Sequence, residues 1–161
     1  MTDSTPSISE ADLPKPPPHW GNLPGYGEVA DPKKLPPYTE DLGDGVTHEV
    51  KLDGSEYWLK DERFHHDGDL PAVIRADGAK IWYRHGLRHR DGDQPAEIAA
   101  DGSKYWHKHD ELHREGDLPA IVSGGYQAWW WHDQRHRGGG LPAVIDSSGS
   151  MEWWVKGRRV R

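Results

Sequence analysis

Apolar, polar and turn-forming positions recur along this chain in short alternating runs of β-prone residues. In one copy Ala72-Val73-Ile74-Arg75-Ala76 is followed by Asp77-Gly78, and strand character resumes in Ala79-Lys80-Ile81-Trp82-Tyr83-Arg84. Asp-Gly between two such runs predicts a β-hairpin closed by a tight two-residue turn. Counting outward from that turn pairs Ile74 with Ile81 and Ala72 with Tyr83 on one face. Val73 with Trp82 and Arg75 with Lys80 fall on the other. In the next copy the same count pairs Ile98 with Tyr105 and Glu97 with Trp106, so the first face is the better core. Leu87 to Gln94, rich in charge, reads as a loop, and Pro95 opens the next strand because it cannot donate to a ladder.

The hairpin is written nearly five times. Copies start at Gly54, Gly78, Gly102, Gly125 and Gly149, so the starts lie 24, 24, 23 and 24 residues apart. Four residues after each Gly stands a Trp: Trp58, Trp82, Trp106, Trp129 and Trp153. Seven residues later come His65, His89, His113 and His136, with Val160 in the fifth copy. Six residues further on, four copies carry Pro-Ala, at Pro71-Ala72, Pro95-Ala96, Pro119-Ala120 and Pro142-Ala143. Such a period predicts a stacked array in which no unit buries its apolar face alone. Two strands per unit at ~4.8 Å spacing give a meandering sheet roughly 45 Å long. Val46 to Leu52 reads as the second half of a repeat that caps the first full one.

Composition divides the chain. Nine of its 13 Pro fall within the first 37 residues, including Pro16-Pro17-Pro18. Residues 1–44 therefore read as a Pro-rich, mostly irregular arm, and 45–161 as the array. The arm is either a polyproline-II leader or a segment that docks through Trp20, Tyr26 and Tyr38. Residues 1–50 carry a formal charge of −6 and residues 51–161 of −1, which gives no strong hint of nucleic acid. Nine Trp and six Tyr make up for a thin aliphatic complement with a single Phe. Without Cys there is neither disulfide nor thiolate metal site. No apolar run approaches the ~20 residues of a membrane span, and the N-terminus lacks a signal-peptide pattern, so a cytoplasmic location is expected.

Asp101-Gly102-Ser103-Lys104-Tyr105-Trp106, with Leu112-His113-Arg114-Glu115-Gly116-Asp117-Leu118-Pro119-Ala120, resembles the Trp…His-Arg…Asp-Gly…Pro-Ala variant of MORN-type repeats. Bacterial proteins of this kind are often labelled YwqK-family antitoxins. The resemblance covers residues 45–161 and implies a binding, scaffolding, membrane-associated or immunity role. The chain departs from that pattern in two places. The usual Asn-Gly turn before the His is reduced to His85-Gly86 and Lys156-Gly157 and is absent in the other copies. In the fourth copy Gly138-Gly139-Gly140 replaces the acidic loop.

The recurring Trp and His columns are expected to be structural: buried rings for Trp58, Trp82, Trp106, Trp129 and Trp153, and loop-fixing hydrogen bonds for the His. Units about 10 Å apart hold successive His too far from each other to share an ion, so no metal is expected. The loops Asp67-Gly68-Asp69, Asp91-Gly92-Asp93 and Glu115-Gly116-Asp117 offer too few oxygens for calcium, with Arg90 or Arg114 beside them as counter-ions. No nucleophile motif or phosphate loop is present, so neither catalysis nor a cofactor is expected. Trp129-Trp130-Trp131 is different, because adjacent strand residues face opposite ways and one ring must leave the buried column. Trp130, Trp131 and Trp154 are the candidate hot spot, and Arg84 beside Trp82 and Lys104 beside Trp106 are further candidate contacts.

The expected role is a non-enzymatic protein-binding module, such as an antitoxin or immunity protein that occludes a partner. The first alternative is a phage or large-virus scaffold that self-associates through open sheet edges. The second is a lipid- or nucleic-acid-binding surface built on Lys80, Arg84, Lys104 and the basic terminus from Lys156 to Arg161.

Overall fold

The structure, a computed structural model, describes residues 35–161, and within them every regular element is a β-strand. Residues 1–34 of the expected arm, with Trp20, Tyr26 and the Pro16-Pro17-Pro18 run, lie outside the described residues. A 12-stranded antiparallel sheet forms the spine. It begins with Tyr38–Gly43 and Val46–Val50, joined by Asp44-Gly45, and passes to Glu56–Lys60, which also pairs with Arg63–Phe64. Each later unit adds two short strands: Val73–Ile74 with Lys80–Ile81, Glu97–Ile98 with Lys104–Tyr105, Ile121–Ser123 with Tyr126–Ala128, and Val144–Ile145 with Met151–Glu152. The sheet thus starts at Tyr38, inside the stretch assigned to the arm, and the Tyr38 ring meets His48 edge-on at 5.9 Å.

The register differs from the expected one. Val73 pairs with Ile81 and Ile74 with Lys80, and likewise Glu97 with Tyr105 and Ile98 with Lys104. The cause is a three-residue loop. Gly78 sits at φ +90°, its N–H donating to Arg75 O, while Arg75 N–H donates to Ala79 O. This is a tight turn followed by a left-handed glycine bulge, so the Asp-Gly pair closes a loop one residue longer than predicted. Asp77 Oδ1 accepts the Ala79 N–H at 2.9 Å, and Asp53 and Asp101 repeat the bond with Ser55 and Ser103. Among the spine loops of the repeat units only Gly124-Gly125, with Ser123 opposite Tyr126, makes a two-residue turn, as Asp44-Gly45 does in the leading hairpin. The Gly124-Gly125 turn is one residue shorter, which accounts for the single 23-residue spacing between Gly102 and Gly125.

From the second unit onward the chain leaves the spine at each Trp, whereas Trp58 lies inside the spine strand Glu56–Lys60. Trp82 donates its backbone N–H to Ala96 O in the next sheet strand, and its C=O accepts from His89 N–H in a second, smaller hairpin. The same two bonds recur at Trp58, Trp106 and Trp129. The smaller hairpins are Tyr83–Arg84 with Leu87–Arg88, His107–Lys108 with Glu111–Leu112, Trp130–Trp131 with Gln134–Arg135, and Trp154–Val155 with Arg158–Arg159. The expected loop from Leu87 therefore begins as a strand.

The turns of these hairpins hold two consecutive left-handed residues: His85-Gly86, His109-Asp110, His132-Asp133 and Lys156-Gly157, with Asp61-Glu62 in the first unit. A turn of this type matches the right-handed strand twist, and His and Asp tolerate the left-handed region better than most L-residues. Its N–H also ties the hairpins together. Gly86, Asp110, Asp133 and Gly157 donate to Phe64, Arg88, Leu112 and Arg135 O of the preceding unit. A spine and a stack of small hairpins thus run side by side, joined at the Trp column.

Candidate binding site

Trp58, Trp82, Trp106 and Trp129 are buried, and Trp153 in the terminal unit is half-buried. The Trp106 indole N–H donates to Asp93 O at 3.1 Å, and the Arg114 guanidinium lies 3.8 Å from the ring centroid. Arg114 also grips both carboxylate oxygens of Asp93, at 2.7 and 2.9 Å, and donates to Pro119 O at 3.1 Å. One loop residue, Asp93, therefore receives the indole and the guanidinium of the following unit. Trp82 with Arg90 and Asp69, and Trp129 with Arg137 and Asp117, repeat this clamp. In the first unit His66 replaces the Arg, stacking on Trp58 at 4.9 Å and bonding Pro71 O. Planar bidentate contact combined with ring stacking is what Arg offers over Lys. The carboxylates are more than half exposed, so each ion pair itself adds little to stability.

The loop acids are therefore held, though by different partners than the sequence implied. Asp69, Asp93 and Asp117 pair with Arg of the next unit, which holds all three carboxyls below their usual range. Asp67 and Asp91 bond His65 and His89 of their own unit, which lowers both.

The His column fixes the stack. His65 Nδ1 accepts the His85 backbone N–H at 3.2 Å, so Nε2 carries the proton and donates to Asp67 Oδ1 at 3.1 Å. His113 and His136 accept from the His132 and Lys156 N–H in the same way. His65 stacks on His85, and His89 on His109, at 4.5 and 4.4 Å. Among the described residues no three His, Asp or Glu converge as a metal site.

Burial holds His107 and His113 below the usual imidazole range, with nearby Arg88, for His107, and His132, for His113, as further causes. A depressed His resists a proton that the unfolded chain takes up below about pH 6.5, so stability falls as pH drops through that point. The depressed Asp69, Asp93 and Asp117 add a second loss below about pH 4. Thermal melts should therefore give a lower Tm at pH 5.5 than at pH 7.5, and a lower one again at pH 3.5. His107→Asn should narrow the first difference; an unchanged Tm between pH 7.5 and 5.5 would contradict this.

Beside each clamp lies a shallow cleft between one loop and the next small hairpin. In three units a cation two residues after the Trp pairs across the cleft with a carboxylate two residues after the His. These pairs are Lys60 with Asp67 at 4.0 Å, Arg84 with Asp91 at 2.6 Å, and Lys108 with Glu115 at 2.7 Å. In the fourth unit the same positions hold Trp131 and Gly138. Trp131 is 49% exposed, and nothing lies within 4 Å of where a Gly138 Cβ would stand. That cleft, lined by Trp129, Trp130, Trp131, Leu118 and Leu141, measures about 410 Å³, against 330 and 280 Å³ in the second and third units.

The sequence candidates thus separate. Trp130 and Trp131 share the open cleft, and Trp154 lines the next one along. Arg84 lies two units away and is held by Asp91, and Lys104 is exposed on the spine opposite Ile98 and Val122. Arg135 was not singled out from the sequence, and Gly138 entered only as part of the Gly138-Gly139-Gly140 departure, not as a site residue. The signal for Gly138 was the simultaneous loss, in one copy, of the residues at Trp+2 and His+2. No model of a known protein family matches the chain, nor does any curated protein.

Proposed function

We propose that this all-β array is a non-enzymatic, MORN-like protein-binding module whose contact centre is the fourth-unit cleft around Trp131. One observation carries this reading: the ion pair that bridges the cleft in three units is replaced by an exposed Trp and a Gly. The column Trp recurs in all five copies and Pro-Ala in four, whereas in the fourth copy this pair is exchanged for an apolar ring beside open backbone. A large aromatic ring in a partly formed pocket, rimmed by Leu118, Leu141 and Arg137, is the usual make-up of an interface hot spot. The sequence resemblance to immunity and antitoxin proteins fits an occluding role.

The second reading, a scaffold, draws on the open sheet, whose outer strands are Tyr38–Gly43 and Met151–Glu152. Against it, the first edge is bulged between Asp41 and Gly43 and the second is only two residues long, both devices that discourage edge pairing.

The test is the double variant Trp131→Lys/Gly138→Glu, which rebuilds the pair found as Lys108 and Glu115. Tagged wild type should hold one protein from source-cell lysate at fixed stoichiometry. The variant should bind that protein about 30-fold or more weakly by calorimetry, as for a lost hot spot of about 2 kcal/mol. Its melting temperature should not fall. An identical partner set and affinity for both proteins would sink the proposal, and recovery of large self-assemblies alone would favour the scaffold.

A further inference from the structure

Arg135 stands where Phe64, Arg88, Leu112 and Arg159 stand in the other units, one residue before the His column. Arg88 at this place is neutralised twice: Nε donates to Asp110 at 2.6 Å, and Glu97 lies 3.8 Å from Nη1. The turn that supplies Asp110 is tied to Arg88 by its backbone, N–H to O at 2.9 Å. The equivalent bond at Arg135 comes from Gly157, at 3.0 Å. The strand position of Glu97 is taken by Val144. Both acids that serve Arg88 are therefore missing around Arg135. Glu152 is engaged elsewhere, by the Trp154 indole at 2.8 Å and by Arg159 at 3.4 Å. Among the described residues no ion pair forms to Arg135.

Two rings flank this guanidinium, Trp130 at 5.3 Å and Trp154 at 5.1 Å from centroid to carbon. Arg135 Nε and the Trp130 indole N–H are both enclosed without an acceptor. Buried donors lacking an acceptor carry a cost, which marks this Arg–Trp pair as unsatisfied within the array. The surroundings are cationic as well. Residues 125–161 hold six Lys/Arg and three Asp/Glu, whereas residues 35–124 hold 11 against 19.

We infer that Trp130, Arg135 and Trp154 form a receptor for a carboxylate side chain on an acidic segment of the partner protein, which replaces the Asp110 carboxylate missing from this unit. This rests on the reading of the chain as a binding module and names the chemistry of what it binds. A carboxylate is favoured over a phosphate because the same position in the second unit is filled by the chain's own carboxylate.

The experiment titrates the isotope-labelled full chain with a six-residue Asp/Glu peptide at low salt, with the Asn/Gln peptide as control. The acidic peptide should move the Arg135 Nε–H and the Trp130 and Trp154 indole signals, and the amide peptide should not. Arg135→Leu, which installs the residue of the third unit, should weaken binding at least tenfold. Gly157→Asp should do the same while leaving Arg135 in place, because it supplies an internal carboxylate. The site accepts this change: Gly157 is at φ +74° and Asp110 at φ +76°, and a Cβ there would meet Gln134 at an ordinary 3.9 Å.

Unmoved signals, or equal binding by both variants, would overturn the inference. So would a single-stranded oligonucleotide that displaces the peptide and binds more tightly. Capture of a Trp131-dependent partner together with a failed titration would remove this inference and leave the binding-module reading standing. A successful titration with no such partner would do the reverse.

Discussion

Trp106→Ala is expected to lower the stability of the array by about 4 kcal/mol, within the range for truncating a buried aromatic ring. The ring is buried in the central unit, and its loss leaves more than a void. Asp93 O loses the indole N–H it accepts at 3.1 Å, and the Arg114 guanidinium loses the surface it covers at 3.8 Å. The backbone bonds of residue 106 to Ala120 and His113 remain, so the chain keeps its path and the cavity cannot close by a shift of register. In a stacked array such a loss weakens the unit and its two neighbours at once. Trp153→Ala, on a half-buried ring with a single neighbouring unit, should cost about half as much. Chemical denaturation of the two variants checks the argument; equal losses, or a loss below about 2 kcal/mol at Trp106, would contradict it.

The second large effect is expected from enlarging a residue. Ala72, Ala96, Ala120 and Ala143 are all at 0% exposure, which explains why Pro-Ala recurs where other apolar residues would satisfy the strand pattern. Ala120 is fixed on both sides, its N–H donating to Ala128 O at 2.9 Å and its C=O accepting the Trp106 N–H at 2.8 Å. The strand has no freedom to move outward for a larger side chain. Ala120→Leu should therefore cost about 3 kcal/mol, near the upper end for overpacking a core. Leu118→Ala, two residues away at an exposed position, should cost under about 0.5 kcal/mol. Denaturant midpoints for the pair decide the matter, and near-wild-type stability for Ala120→Leu would show that the column is less tightly packed than described.

The repeat, the hairpin and the buried Trp column were legible in the sequence because each rests on residues that recur in every copy. The register was not, because a glycine bulge and a two-residue turn share the signature Asp-Gly or Gly-Gly. Only the 23-residue spacing at Gly125 hinted that one loop differs from the rest. The small hairpins were missed for the opposite reason. Their turns adopt a glycine-like backbone at His109-Asp110 and His132-Asp133 with no glycine to mark it. Neighbouring units hold them there, through bonds such as Asp110 N–H to Arg88 O, and one unit read alone cannot contain that information.

The site was half legible. The triple Trp announced that one ring would leave the column, and Trp131 is the exposed one. Arg135 carried no mark of its own. It stands out only when Asp110 and Glu97 are placed beside Arg88 and their counterparts Gly157 and Val144 beside Arg135, pairings that lie 22 and nine residues apart in the chain. Function in this array is written as departures from the repeat, and reading them requires knowing which columns touch.

Trp131 stands open beside a column whose Trp82, Trp106 and Trp129 indole N–H groups are bonded within the array. Hydrogen exchange of the individual indole N–H signals, resolved by NMR on the free full-length chain, tests this most directly. The N–H groups of Trp82, Trp106 and Trp129, each donated to a backbone carbonyl, should exchange slowly, and that of Trp131 at close to the rate of a free indole. A Trp131 signal as protected as those of the column would contradict the account, because the fourth-unit cleft would then be closed and no contact surface would remain there.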